Sequence, residues 1–358
     1  MSAERKRTWI STAVWTALVA LVSVSLLSGC GSDNNGNDRV ASSPSASASE
    51  SASPETTEIV ELRLNVVSTG TQSLPAYIIQ KLELDKKHGF ALKSIDDSGA
   101  VNANWTAFKT GQVDAIISDW ISLARNVEQG DKAVAVVPFL GWGNGILVPE
   151  DSNVNSLMDL KNMKIGVYNR IAPDWIFIRA AAKKLYGFDP EKENTVSEAA
   201  PGLLLGLMQE SKVDASLNYG DLNNILLGIG GFRSPFQISV AMGALGLSTE
   251  APFLFYTFNK DFMDEHPKTV QAFAAAYKEA IEFLKTDEAI WDDIAERLEI
   301  TNDTTIKLMQ ENARNNIFTE MTPPMIDNIH AIFDVLLAEA GEKELGIGSL
   351  PDSIFQQP

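Results

Sequence analysis

The sequence predicts an α/β protein of two similar lobes, each a largely parallel sheet with helices on its faces, followed by a helical tail. Three observations carry this expectation. Pro75 and Gly89 are separated by the same interval as Pro173 and Gly187, and each pair begins after a strand and a small polar loop. Val113-Asp114-Ala115 is answered by Val213-Asp214-Ala215, at an offset of 100 against 98 for the Pro and Gly pairs. From Pro252 onward the apolar spacing turns helical, with Val270, Phe273, Ala274, Tyr277, Ile281 and Leu284 on one face.

A chain of 358 residues suits two domains once a leader is removed, and 45% hydrophobic with 21% charged residues describes a globular protein able to bury large cores. The formal charge of −18 argues against nucleic acid as a partner, because phosphate neutralisation needs a basic face.

Residues 1–29 read as an export signal: Arg5, Lys6 and Arg7 precede an apolar run from Trp9 to Leu27. Leu27-Ser28-Gly29-Cys30 resembles the lipobox of bacterial lipoproteins, and Cys30 is the one cysteine of the chain. Without a disulfide partner its placement points to lipid attachment, the alternative being an uncleaved membrane anchor. Residues 30–58, rich in Ser, Ala, Asn and Pro, bury too little apolar surface to offset ordering entropy and read as a tether.

The folded body begins with alternating Val60, Leu62, Leu64 and Val66, a strand. A helix is expected from about Leu74 to His88, stopped by Gly89, then a strand from Phe90 to Ile95 and a helix from Asn102 to Thr110. Val113 to Ile117 completes a β-α-β-α-β unit. In the second unit Ile165-Gly166-Val167-Tyr168 is a strand, Asn169 to Ala172 a loop and Pro173 a helix start. Two Gly-punctuated stretches, 139–148 and 241–246, read as extended hinge segments. Lobe one is assigned residues 59–141 and 247–358, lobe two residues 142–246, and the tail helices are expected to wrap lobe one.

Four stretches resemble a known family: Ser68-Thr69-Gly70, Lys109 through Ala115, Ser156 to Lys161 before the Lys164 strand, and Glu265 through Val270. Together they are similar to solute-binding lipoproteins of ABC importers, in the nitrate/sulfonate/taurine group that includes thiamine-precursor binders. The resemblance implies a periplasmic-binding-protein fold of type II, a Venus flytrap that closes on a small molecule by hinge motion. It also implies a monomer that hands its solute to a permease and ATPase. Enzymes of thiamine-pyrimidine synthesis share the fold, by the same resemblance, and use histidine and cysteine. A sensory lipoprotein without a transport role is a further alternative.

Ligands of open α/β sheets bind beyond the carboxyl ends of strands. The expected site therefore gathers Ser68, Thr69, Thr71 and Ser73 on one wall and Tyr168, Asn169 and Arg170 on the other, with the two loops facing. The strand ends add Asp119, Trp120 and Tyr219, and Trp105 and Trp175 stand at helix starts. The hydroxyls donate to ligand oxygens or cap the helix, and the aromatic rings stack on a planar or cationic ligand or pack helix to sheet. Asp119 pairs with a positive group or caps; Arg170 clamps an anion or lies on the surface. Asp174 is expected at the positive end of its helix. The ligand expected is a planar nitrogen heterocycle or a small organic anion such as a sulfonate. His88, His266 and His330 lie away from these loops, so no catalytic set is assigned, and no cofactor or metal motif is present.

Overall fold

A computed structural model describes residues 59–97 and 102–358. The export signal, Cys30 and the tether fall outside the described residues. The first half of the body runs β1 (Val60–Val66), α1 (Leu74–Lys81), α2 (Leu84–His88), β2 (Phe90–Asp96), α3 (Ala103–Lys109), β3 (Ala115–Asp119), α4 (Trp120–Glu128) and β4 (Ala133–Pro138). The chain then crosses to β5 (Gly145–Pro149), β6 (Lys164–Val167), α5 (Pro173–Tyr186), α6 (Pro190–Glu193), β7 (Thr195–Glu198), α7 (Pro201–Gln209), β8 (Ala215–Leu217), α8 (Gly220–Ile229), β9 (Phe232–Gln237) and α9 (Ile238–Ala244). It returns as β10 (Leu254–Asn259), followed by α10 (Lys260–Glu265), α11 (Pro267–Thr286), α12 (Ile290–Arg297), α13 (Asp303–Asn316), α14 (Pro323–Ala340) and α15 (Glu342–Leu345).

Two five-stranded sheets result, ordered β2-β1-β3-β10-β4 and β7-β6-β8-β5-β9. In each, three parallel strands form one side and two antiparallel pairings complete the other. The repeated Val-Asp-Ala acts at the same place in both. Asp114 accepts from the Arg63 N–H at 2.9 Å, and Asp214 from the Lys164 N–H at 2.8 Å. Each aspartate thus ties the entry of one parallel strand to its neighbour and holds the register that the hydrophobic pattern prefers.

Gly89 and Gly187 close their helices in the left-handed region, at φ 84 and 72. The expected helix from Leu74 to His88 is broken between α1 and α2, where Glu83 sits at φ 52. Two further expectations are corrected. Residues 254–259 are not helical but the strand β10, whose Phe255 packs into one core and whose Tyr256 and Phe258 pack into another. A strand buried on both faces reads as a continuous apolar run, so periodicity alone does not separate it from helix. The second hinge stretch, 241–246, is the end of helix α9 and its turn. The crossing is instead made by the chain before β10, where the Phe253 N–H donates to Leu140 O at 2.7 Å and joins the two crossing segments.

The tail helices divide between the halves. α11 lies on α1 and α2 of the first half, whereas α13 also packs on α8 and α14 on α5 of the second. Gly228 of α8 is where α13 comes closest: an added Cβ would stand 2.0 Å from Thr305 Oγ1.

Candidate functional site

A pair of hydrogen bonds joins the segment after β1 to the segment after β8. Thr71, just past β1, donates from its backbone N–H to Asp221 Oδ2 at 2.7 Å and from Oγ1 to Asp221 Oδ1 at 2.5 Å. Gly70 makes this approach possible. Its φ is 71, and an added Cβ would lie 2.5 Å from Asp221 Oδ2. Burial pushes the Asp221 carboxyl up from its ordinary range, against the pull of the two Thr71 bonds. Gly70→Ala is expected to break this contact, since the new methyl displaces a carboxylate that is buried and doubly bonded. The radius of gyration from small-angle scattering should rise; scattering identical to wild type would show that other contacts hold the halves together.

The opposite corner is built from Asp119, Tyr168, Asp174 and Tyr219. Asp119 caps α4, its Oδ1 accepting from the Ser122 N–H at 2.8 Å. Across from it the rings of Tyr168 and Tyr219 lie 4.6 Å apart at an interplanar angle of 43°. Tyr168 donates to Asp174 Oδ1 at 2.7 Å, the Trp175 N–H adds 2.9 Å to the same oxygen, and Asn144 Nδ2 donates to Oδ2 at 2.8 Å. Asp174 is 0% exposed, and burial pushes its carboxyl up to about 6 despite these bonds, with the charge of Asp119 adding to the rise. Burial raises both tyrosine hydroxyls as well, Asp174 and Asp119 contributing to each. Tyr219 remains 47% exposed, so the pair presents one ring to solvent.

The contact of the loop after β1 is with the segment after β8, and the Asp119 charge at the end of β3 is felt by Asp174 beyond β6.

Several expected site residues are placed elsewhere. Thr71 and Ser73 are buried and engaged: the Ser73 hydroxyl donates to Gly70 O at 2.8 Å and accepts from Arg297 Nη1 at 2.9 Å. Ser68 and Thr69 are exposed at the loop tip. Trp105, Trp120 and Trp175 are core residues at 6%, 0% and 0% exposure. Trp105 packs edge-on to Phe108 and Trp120 to Phe333 of α14, while Trp175 Nε1 donates to Glu191 at 2.8 Å. All three rings belong to one hydrophobic core. Arg170 is no clamp here. Its guanidinium pairs with Glu191, and its N–H donates to Glu198 at 2.9 Å. Asn169 folds back, its Oδ1 accepting from the Ile171 N–H at 2.9 Å.

Asp221, Asp174 and Asn144 carry the corner contacts and were not on the expected ligand list. Asp221 has a signal in the sequence, since it stands two residues after Tyr219 in the strand end that the repeat picks out. Asn144 has none, because its role depends on the crossing path. Of the histidines, His88 faces Glu279 at 3.0 Å and His330 faces Asp352 at 2.7 Å, while His266 joins α10 to α11; all three lie outside the corners described. Among the described residues no group of three or more His, Cys, Asp or Glu could hold a metal ion.

Comparisons with known proteins agree with this architecture. The chain is similar in structure to the alkanesulfonate-binding protein SsuA from Xanthomonas axonopodis pv. citri bound to MOPS, with a TM-score of 0.65 at 14% identity, covering 83% of this chain and 98% of that one. It is also similar to the periplasmic aliphatic sulphonate binding protein SsuA from Escherichia coli, with a TM-score of 0.64 at 16% identity over 78% and 92% of the two chains. Identities this low establish the fold. A curated relative, the glutamine-binding protein of Geobacillus stearothermophilus, is 26% identical over 175 residues, 44% of this chain. The match spans 64% of that protein, a little under two thirds of its length. The NMT1/THI5-like family model matches residues 71–289, and the chain belongs to that family.

Proposed function

We propose that the protein is the extracytoplasmic solute-binding component of an ABC importer, tethered through a lipidated Cys30, and that its cleft takes a planar nitrogen-containing solute bearing positive charge. The observation that carries the ligand class is the Tyr168–Tyr219 pair, bonded to Asp174 and faced by Asp119. Stacked rings offer flat area, and carboxylates beside them favour a cation over an anion. Asp174 accepts from neutral donors and Asp119 caps a helix, so among the described residues neither is neutralised by a direct ion pair. Arg125 senses the Asp119 charge, but its Nε is committed to Leu345 O. Arg170, the residue best suited to a sulfonate, is held by Glu191 and Glu198.

A thermal-shift screen with the Cys30→Ala chain, expected in the soluble fraction, tests the reading. Protonated amines and aminopyrimidines should raise the unfolding midpoint, because a native-state ligand stabilises by RT ln(1 + [L]/Kd). Tyr219→Ala should weaken the best of them about tenfold, the worth of a partly exposed aromatic contact. Stabilisation by alkanesulfonates with none by cations would overturn the ligand class, and membrane retention of Cys30→Ala would overturn the tether.

A further inference from the structure

Arg297 stands in the last turn of α12 and reaches back to the start of α1. Its Nη1 donates to Ser73 Oγ at 2.9 Å, and its guanidinium carbon lies 4.8 Å from the centre of the Tyr77 ring, one turn further along α1. We propose that Arg297 is a positioning residue for the cleft: acting through Ser73, it sets the turn at Gly70 so that Thr71 grips Asp221 and joins the two halves.

The contact fixes the direction of one hydrogen. A guanidinium only donates, whereas a hydroxyl has a single hydrogen and accepts with its oxygen. Ser73 Oγ therefore accepts from Arg297, and its own hydrogen goes to Gly70 O at 2.8 Å. The Ser73 N–H donates to the same carbonyl at 3.1 Å. Two bonds on one carbonyl hold the turn in which Gly70 keeps φ 71, and the next residue, Thr71, donates to Asp221 by both its N–H and its hydroxyl. Named contacts thus run without a gap from the tail, through Ser73 and Thr71, to the second half.

Helix stability does not account for this arrangement. Ser73 is the residue before α1, where a serine ordinarily turns its oxygen to the free N–H groups of the first turn, yet it makes no such cap. A cation beside that end of a helix also opposes the macrodipole. In a chain of formal charge −18, Arg297 nonetheless pairs with no carboxylate among the described residues and gives its guanidinium to a neutral hydroxyl and a ring. Two local rules broken at one spot mark a position set by function rather than by the helix. α12 serves as the fixed end, because Ile290, Trp291 and Ile294 are buried in the core that also holds β1 and α11. Lys81 Nζ meets Asp293 Oδ2 at 2.6 Å and fastens the same two helices one turn away.

The inference rests on the reading of the cleft as a solute site, but its test reads the separation of the halves, so either can fail alone. The full chain carrying Cys30→Ala is spin-labelled at Lys93→Cys in β2 and Lys212→Cys before β8, both exposed, and the distance distribution is measured by double electron–electron resonance. Arg297→Gln, whose carbonyl can accept from Ser73 and turn its hydroxyl round, should raise the ratio of long to short distances about tenfold, the scale of one charge-assisted hydrogen bond. In a chain that already carries Asp221→Ala the same substitution should leave the ratio unchanged, because the contact it positions is gone. An unchanged distribution in Arg297→Gln alone overturns the proposal. An equal rise in both backgrounds also overturns it, making Arg297 a general brace of α1. If Arg297→Gln loses its native circular dichroism, Ser73→Ala, which removes the relay and leaves α12 intact, decides by the same two comparisons.

Discussion

Asp174→Asn is expected to stabilise the ligand-free protein at pH 7 and to flatten its stability between pH 4 and 6. In the folded state the carboxyl is pushed up to about 6 from an ordinary 3.8, so the native form holds this proton where the unfolded chain has released it. Stability from this group is complete below the unfolded value and is lost as pH rises toward 6, by about 3 kcal/mol in all. Asparagine removes the ionisation while keeping an oxygen for Tyr168 and the Trp175 N–H. The Asn144 amide turns over to meet the new NH₂ group. Unfolding midpoints at pH 4, 5, 6 and 7 measure the effect: the gap between variant and wild type should widen with pH and level off above 6. A constant gap would show that Asp174 is ionised throughout. A cationic solute should reverse the ranking, binding the wild type more tightly at pH 7, because the buried carboxylate that costs the empty protein stability is the charge the solute answers.

Trp175→Ala is expected to be the most damaging single change among the residues first assigned to the ligand. The indole is 0% exposed in the core and its Nε1 holds Glu191 at 2.8 Å. Truncating a buried tryptophan costs about 3–5 kcal/mol through lost burial and the cavity left behind. Glu191 also loses one of the partners that share it with Arg170. A urea titration should show the midpoint fall with the slope unchanged. Trp175→Phe, which keeps most of the volume and loses one hydrogen bond, should fall by about 1 kcal/mol. Solute affinity of the folded fraction of Trp175→Phe should match wild type; a tenfold loss there, with little loss of stability, would return Trp175 to the binding surface.

The tryptophans show where reading residues in a row stops. Trp120 follows a strand end directly and Trp175 stands in a helix's first turn, positions near any cleft of this fold. What placed both rings in the core was the return of the tail: α14 brings Phe333 against Trp120, and α5 packs beneath the same helix. Arg170 shows the same limit, because Glu191 and Glu198 reach it only once β7 has paired with β6. Tyr168, Tyr219 and Asp119 kept their places at the strand ends, since the alternation along a strand and the turn after it are local and survive in any packing.

By itself the sequence determined the two β-α-β-α-β units, their glycine stops and the aspartates that tie neighbouring strands, because these depend on hydrophobic period, backbone conformation and short-range hydrogen bonds. Tertiary structure decided which strand ends oppose one another, that β10 returns to the first sheet, and that Asp221, Asp174 and Asn144 hold the corners. Those outcomes rest on contacts between residues far apart in the chain. Burial converts such contacts into shifted charge and rigid geometry, and no local pattern records which distant partner will arrive.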